Sequence, residues 1–219
     1  MNDINNFYDM YVLEIPNSLT KELCEQIMKK FDNDKNVYEG VTGSGLQKKT
    51  KRTTDLNLTR YENWKYYDNI LSQKLTEGIR QLKTHIENKL EEYNLDKNIV
   101  NTMNIFNYNI EDTGYLLMKY EANDGFYNWH NDGHNGFNIK NGDFKYEKVS
   151  RDNKPCIRHY TFLWYLNDVT DGGETYFLHK KVKAEQGKLL LFPAHVIYPH
   201  KGSMPLSNNK YICTGWIFI

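Results

Sequence analysis

The chain has 219 residues and balances 28 basic against 28 acidic side chains, a formal net charge of zero at pH 7. At 39% apolar and 14% aromatic it can bury a core, so it is neither a disordered tail nor a basic nucleic-acid arm, and one domain is expected over 1–219. Three widely spaced cysteines without a CxxC pair argue against a disulfide framework and point to a reducing, cytoplasmic compartment, that of a phage- or virus-infected host included. The opening stretch lacks a basic segment followed by an apolar run, so no signal peptide is expected, and no membrane span is visible.

In chain order, "YVLEIPNSLTKELCEQIMKKF" reads as a short strand and then a helix capped by Thr20. Leu19, Leu23, Ile27 and Phe31 form its buried stripe. Residues 41–54 follow as a basic loop between short strands, with Lys48 to Arg52 read as a solvated run and, as a second reading, a substrate contact. Over 66–93, Leu71, Leu75, Ile79, Leu82, Ile86 and Leu90 recur every three or four residues, one face of a long helix that Gly78 weakens slightly. From about residue 100 the pattern turns to short aromatic and β-branched segments: "GYLLMKY", "RHYTFLWYL", "ETYFL", "KLLLF" and "KYICTGWIFI". A helical support over 1–98 and a strand-rich core over 99–219 predict an antiparallel sandwich or barrel with helices on its back. The polar segment 133–156 interrupts the strands as a long insertion of the kind that forms lids.

The chemistry concentrates in "YNWHNDGHNG". In a strand, His130 and Asp132 point to one face, so an imidazole and a carboxylate converge. They are two of the three ligands of a facial triad for non-haem Fe(II). The third imidazole can come from His159, His179, His195 or His200, with His134 as a local rival; His85 lies on the long helix. Taken alone, an HxD is more often a surface turn.

In "FPAHVIYPHKGSMPLSNNKYICTGWIFI", His200 ends one strand and Lys210 starts the next. With His130-x-Asp132, His200, Gly202, Lys210 and Trp216, with "FLWYLNDVTDGGETYF" and with "GKLLLFPA", the sequence resembles the 2-oxoglutarate- and Fe(II)-dependent dioxygenases of the prolyl 4-hydroxylase-like branch. The resemblance is close over residues 115 to 219 and looser in the helices before them. It implies an α+β fold, a double-stranded β-helix (jelly-roll) core with N-terminal helices packed on one sheet. It selects His200 as the third metal ligand, so that His130, Asp132 and His200 hold the catalytic iron. It further implies that 2-oxoglutarate binds as co-substrate, and that ascorbate assists by re-reducing the iron, as in relatives.

The far carboxylate of 2-oxoglutarate would sit inside an apolar barrel, where an unpaired charge costs several kcal/mol. Lys210 supplies the cation. The resemblance assigns Tyr120 to the same carboxylate; Tyr165 is expected to face that pocket and Thr214 shares the strand face of Lys210. Trp216, His134 and Tyr127 are the candidate substrate and pocket residues. The expected reaction is hydroxylation of a prolyl residue in a peptide or protein with O2, giving succinate and CO2. Alternatives are a free amino acid, nucleotide or sugar substrate, or a jelly-roll binding module without turnover. Neither a membrane nor a nucleic-acid partner is indicated, and the sequence does not set the oligomeric state.

Overall fold

The computed structural model describes residues 8–106, 111–133, 138–140, 143–145 and 158–218. Its strands run in chain order as β1 (Leu13–Ile15), β2 (Tyr38–Glu39), β3 (Lys51–Arg52), β4 (Thr54–Asn57), β5 (Glu111–Asp112), β6 (Leu116–Tyr120) and β7 (Phe126–His130). There follow β8 (Asn138–Lys140), β9 (Asp143–Lys145), β10 (Arg158–Tyr165), β11 (Thr175–Phe177) and β12 (Lys181–Val182). The last are β13 (Leu189–Pro193), β14 (His200–Gly202) and β15 (Lys210–Phe218). The helices α1 (Lys21–Asp32) and α2 (Lys65–Glu92) precede the strand-rich half.

An eight-stranded sheet runs β1-β13-β10-β15-β6-β4-β2, with β5 on β15; a five-stranded sheet runs β12-β11-β14-β7-β3; β8 and β9 pair by themselves. The pairings are antiparallel. This is the double-stranded β-helix. The segment before residue 99 is more than a helical support, because β1, β2 and β4 extend the larger sheet and β3 closes the edge of the smaller one.

The large sheet is buried on both faces, and its strands alternate accordingly. Phe162, Trp164, Leu189, Leu191 and Cys213 belong to a core shared with α1 and α2. Their neighbours Leu163, Tyr165, Leu190, Phe192 and Ile212 belong to a second core, shared with Phe177 and Val182 of the small sheet. That is why "RHYTFLWYL" reads as a continuous apolar run: both of its faces are covered. The site lies in the second core.

Local signals are obeyed. Thr20 Oγ1 accepts the Leu23 amide at 3.2 Å and caps α1, a contact that typically stabilises by about 1 kcal/mol. Gly172 and Gly173 have φ of +70° and +72°, which glycine adopts without steric penalty, and a Cβ on Gly172 would come within 2.3 Å of the Met204 carbonyl oxygen. The Lys48 to Arg52 run departs from a solvated loop at Lys51, which is 2% exposed and pairs with the equally buried Asp55 at 2.6 Å.

Gly78 does more than weaken α2: it is the point where the helix approaches β13. A Cβ there would lie 2.6 Å from Leu189 Cδ2 and 3.7 Å from Ile15 Cδ1. Gly78→Val should overpack this contact and cost about 1–3 kcal/mol. The loss is read from chemical denaturation; an unchanged midpoint would show that the helix–sheet seam can yield.

Candidate active site

β7 and β14 are hydrogen-bonded neighbours, and His130 and His200 are directly opposed in their register. Their rings lie 4.3 Å apart, centroid to centroid. Each imidazole is oriented from behind by the backbone carbonyl two residues earlier in the chain. His130 Nδ1 lies 2.7 Å from the Asn128 oxygen and His200 Nδ1 lies 3.2 Å from the Tyr198 oxygen. An Nδ1–H donated to each carbonyl leaves both Nε2 lone pairs directed inward, the tautomer a metal ligand needs.

Asp132 completes the group, though not by strand alternation. β7 ends at His130, and Asp132 lies beyond it. Its carboxylate faces both imidazoles, Oδ1 at 3.6 Å from His130 Nε2 and Oδ2 at 3.4 Å from His200 Nε2. The three ligand atoms lie within 4.8 Å of one another and form the one such histidine–carboxylate cluster among the described residues. Two imidazoles and one carboxylate with open space on one side suit Fe(II).

The electrostatics favour a ligand-ready state. Burial, reinforced by the neighbouring His200, pushes His130 down to about 4, so it is neutral at pH 7. Burial raises the Asp132 carboxyl, but the two imidazoles, the Thr161 hydroxyl and Arg158 outweigh it and hold the group below its ordinary value, ionised.

One cavity between the sheets is lined by His130, Asp132 and His200 and also by Lys210, Tyr120 and Thr214. Lys210 pairs with Tyr120 across β15 and β6 and is 1% exposed. Among the described residues no carboxylate lies within ion-pair distance of its ammonium. Its neighbours are the rings of Tyr120 and Tyr165, at 5.0 and 5.4 Å. Burial pushes its pKa down to about 7, against a small opposing pull from Glu174. A buried cation facing two aromatic rings and no acid fits an anionic ligand.

The remaining predicted residues fall as follows. Thr214 donates to the Phe162 carbonyl at 2.8 Å, and among the described residues the Tyr120 hydroxyl reaches only Met118 Sδ at 3.8 Å, a weak contact. Tyr165 lies behind the cavity wall and donates to Thr175, which lines it, at 2.7 Å. Tyr127 stacks on His130 with 3.6 Å between centroids. Trp216 lines the cavity near Asp132; its indole N–H is buried with no partner among the described residues, and the Arg158 guanidinium lies 3.5 Å over its ring. His134 lies outside the described residues. Of the rival imidazoles, His195 is exposed, sits edge-on to His159 at 5.8 Å and is not one of the clustered ligands. His179 is largely buried and bonded to Asp9 at 3.1 Å. Thr161, Thr175 and Arg158 were not singled out from sequence, because a threonine within an apolar β-run reads as ordinary strand propensity.

A carboxylate–imidazole iron site inside a jelly-roll, with a buried cation in the same cavity, defines an iron-dependent oxygenase of the kind that uses a dicarboxylic oxo acid. Residues 115–218 match the family model "2OG-Fe(II) oxygenase superfamily". No curated protein matches the chain. Solved structures share the fold at low identity. The viral collagen prolyl hydroxylase of Paramecium bursaria Chlorella virus-1, solved with 2OG, is 17% identical, with 95% of each chain covered and a TM-score of 0.58. A Pseudomonas putida prolyl-4-hydroxylase is 15% identical, with 100% of this chain and 98% of that one covered and a TM-score of 0.58. A Trichoplax adhaerens prolyl hydroxylase, solved with a hypoxia inducible factor peptide fragment, is 17% identical over 99% and 91% of the chains, with a TM-score of 0.62. Residues 115–218, just under half of the chain, thus match the 2OG-Fe(II) oxygenase superfamily, and the fold is shared with prolyl hydroxylases; both support a 2-oxoglutarate- and Fe(II)-dependent dioxygenase. Among the described residues no helix is long and apolar enough to cross a membrane.

The Lys210 environment has a pH signature. Its folded pKa, about 7, lies below the ordinary 10.5, so between those values the unfolded chain holds a proton that the folded protein does not. Stability must therefore rise with pH across that window. In the metal-free, ligand-free protein the melting temperature of wild type relative to Lys210→Met should climb from pH 7 towards pH 10. A flat difference would place Lys210 in contact with water or an acid.

Proposed function

We propose that the protein hydroxylates a prolyl residue within a peptide or protein, consuming 2-oxoglutarate and O2 and releasing succinate and CO2. The observation that carries this reading is that one cavity is lined by two donors, the Lys210 ammonium and the Trp216 indole, neither of which has a hydrogen-bonding or ionic partner among the described residues. Lys210 starts β15 and Trp216 lies six residues further along it, about 20 Å at the usual rise per residue. The ammonium at one end calls for the distal carboxylate of the co-substrate, and the indole N–H at the other calls for a carbonyl oxygen such as a peptide bond supplies. The prolyl hydroxylases of shared fold, one solved with 2OG and one with a peptide fragment, support the same assignment. The free thiols of Cys24 and Cys213 suit a reducing compartment such as the cytoplasm.

His130, Asp132 and His200 would hold Fe(II), and bound iron supplies activation of dioxygen for C–H oxidation. The chain's own residues do the rest. Lys210 neutralises the far carboxylate of 2-oxoglutarate and sets the length of acid that fits. The Tyr120 hydroxyl, whose one hydrogen bond among the described residues is a weak one to sulfur, can donate to that same carboxylate, and Thr214 lines its path. Leu163, Phe192 and Ile212 exclude water, which strengthens each charge contact within. Tyr127 and Trp216 border the substrate side, with Arg158 stacked over the indole.

Iron-loaded protein should convert 2-oxoglutarate to succinate and add one oxygen atom to proline-containing peptides, detected by mass spectrometry. Lys210→Met should raise the KM for 2-oxoglutarate at least about 100-fold, the usual scale for removing one partner of a buried charged contact. Oxygen transfer to free amino acids, nucleotides or sugars but not to peptides would reassign the substrate. Absence of succinate from folded, iron-loaded protein with every pool would favour a binding module.

A further inference from the structure

Asp132 poses a problem that its two histidine partners do not. His130 and His200 sit in paired strands, so ladder hydrogen bonds fix their backbones. Asp132 lies past the end of β7, where no ladder holds it. Both of its carboxylate oxygens stand at nearly the same distance from an imidazole nitrogen, 3.6 Å for Oδ1 and 3.4 Å for Oδ2. Left to itself the carboxylate can turn to present either oxygen, or both, to a metal. Taking both would fill one of the positions that a bidentate co-substrate and dioxygen need.

Two side chains of β10 constrain it. Thr161 Oγ1 donates to Asp132 Oδ2 at 2.7 Å, and Arg158 Nη1 donates to the Asp132 backbone oxygen at 3.2 Å. Thr161 is 2% exposed, lines the metal cavity and stands opposite Trp216 across β10 and β15. Among the described residues, no other hydroxyl or amide donates to that carboxylate. The bond is short, charge-assisted and shielded from water, so it is worth more than a neutral surface contact.

We infer that Thr161 is a positioning residue for the metal centre: its hydroxyl reserves Oδ2 of Asp132 and leaves Oδ1 as the single carboxylate oxygen offered to the metal. The inference rests on the iron-site reading of the triad and adds to it a residue that acts on the metal through Asp132.

The test uses metal alone, without turnover. The full chain is stripped of metal and titrated with Co(II), whose visible absorption reports coordination, and with Mn(II) for affinity. Thr161→Val keeps the shape and removes the hydroxyl; Thr161→Ala removes it without branched bulk; Thr161→Ser retains it. Metal affinity should fall about 10- to 100-fold in the Val and Ala variants and stay within about threefold of wild type in the Ser variant. The Co(II) spectrum should change in the first two only, which a general loosening of the fold would not produce. Wild-type affinity and spectrum in a folded Val variant would overturn the inference. So would a loss that follows the methyl group, with Ser and Ala impaired and Val intact. Should neither Val nor Ala fold, weak metal binding by a folded Ser variant would overturn it by itself. If no variant and not the wild type binds Co(II) or Mn(II), the iron-site reading itself fails, and the two failures are thereby distinguished.

Discussion

The site depends on one backbone pairing, that of β7 with β14. It sets His200 opposite His130, although the two are separated by most of the strand-rich half of the chain. Cross-strand neighbours sit about 4.5–5.5 Å apart at Cβ, the right span for two imidazoles to reach one ion. The same backbone orients each ring through a carbonyl two residues upstream, so that position and tautomer have a common origin. The rigidity of the small sheet is therefore the rigidity of the metal site, which is what ligand geometry demands.

The large sheet supplies the complementary half. β15 carries Lys210, Ile212, Thr214 and Trp216 on its cavity face, so one strand presents a cation, an apolar wall, a hydroxyl and an indole in order. The arrangement costs stability: an ammonium buried with no acid within ion-pair distance among the described residues is pulled towards neutrality. Helix packing on the far face offsets that cost, since Leu189, Leu191, Phe162 and Trp164 bury their side chains against α1 and α2. A site that is poorly satisfied until its anionic ligand arrives gains selectivity for that ligand, because a neutral isostere leaves the charge unpaired.

Much of this was legible in the sequence because it rests on periodicity or on spacing. α2 shows its stripe because one face meets the sheet, and Thr20 shows the start of α1 because a cap needs that hydroxyl. The His130, Asp132, His200 and Lys210 set is legible through the resemblance, which encodes strand order that one sequence does not reveal. What escaped is what depends on three-dimensional neighbours. Lys51 looks like its solvated neighbours until Asp55 is found buried beside it. Gly78 looks like a weak point in a helix until Leu189 is found against it. Thr161 looks like a β-former until its hydroxyl is found on Asp132.

The off-strand position of Asp132 follows from what the metal site requires. Were β7 to continue in regular pairing through residue 132, the strand direction would fix the carboxylate and leave its orientation to rotamer preference alone. Ending the strand at His130 frees the backbone to turn, and Gly133 lets it pass close to the next loop, since a Cβ there would lie 2.8 Å from the Ala194 oxygen. The carboxylate then depends on β10, a central strand of the other sheet, for its orientation. The triad is thus assembled from both layers of the jelly-roll: two imidazoles fixed by the small sheet and one carboxylate fixed by the large one. A change that shifts one sheet against the other therefore alters the distance between those two sets of ligands, and metal affinity is tied to how the sheets pack.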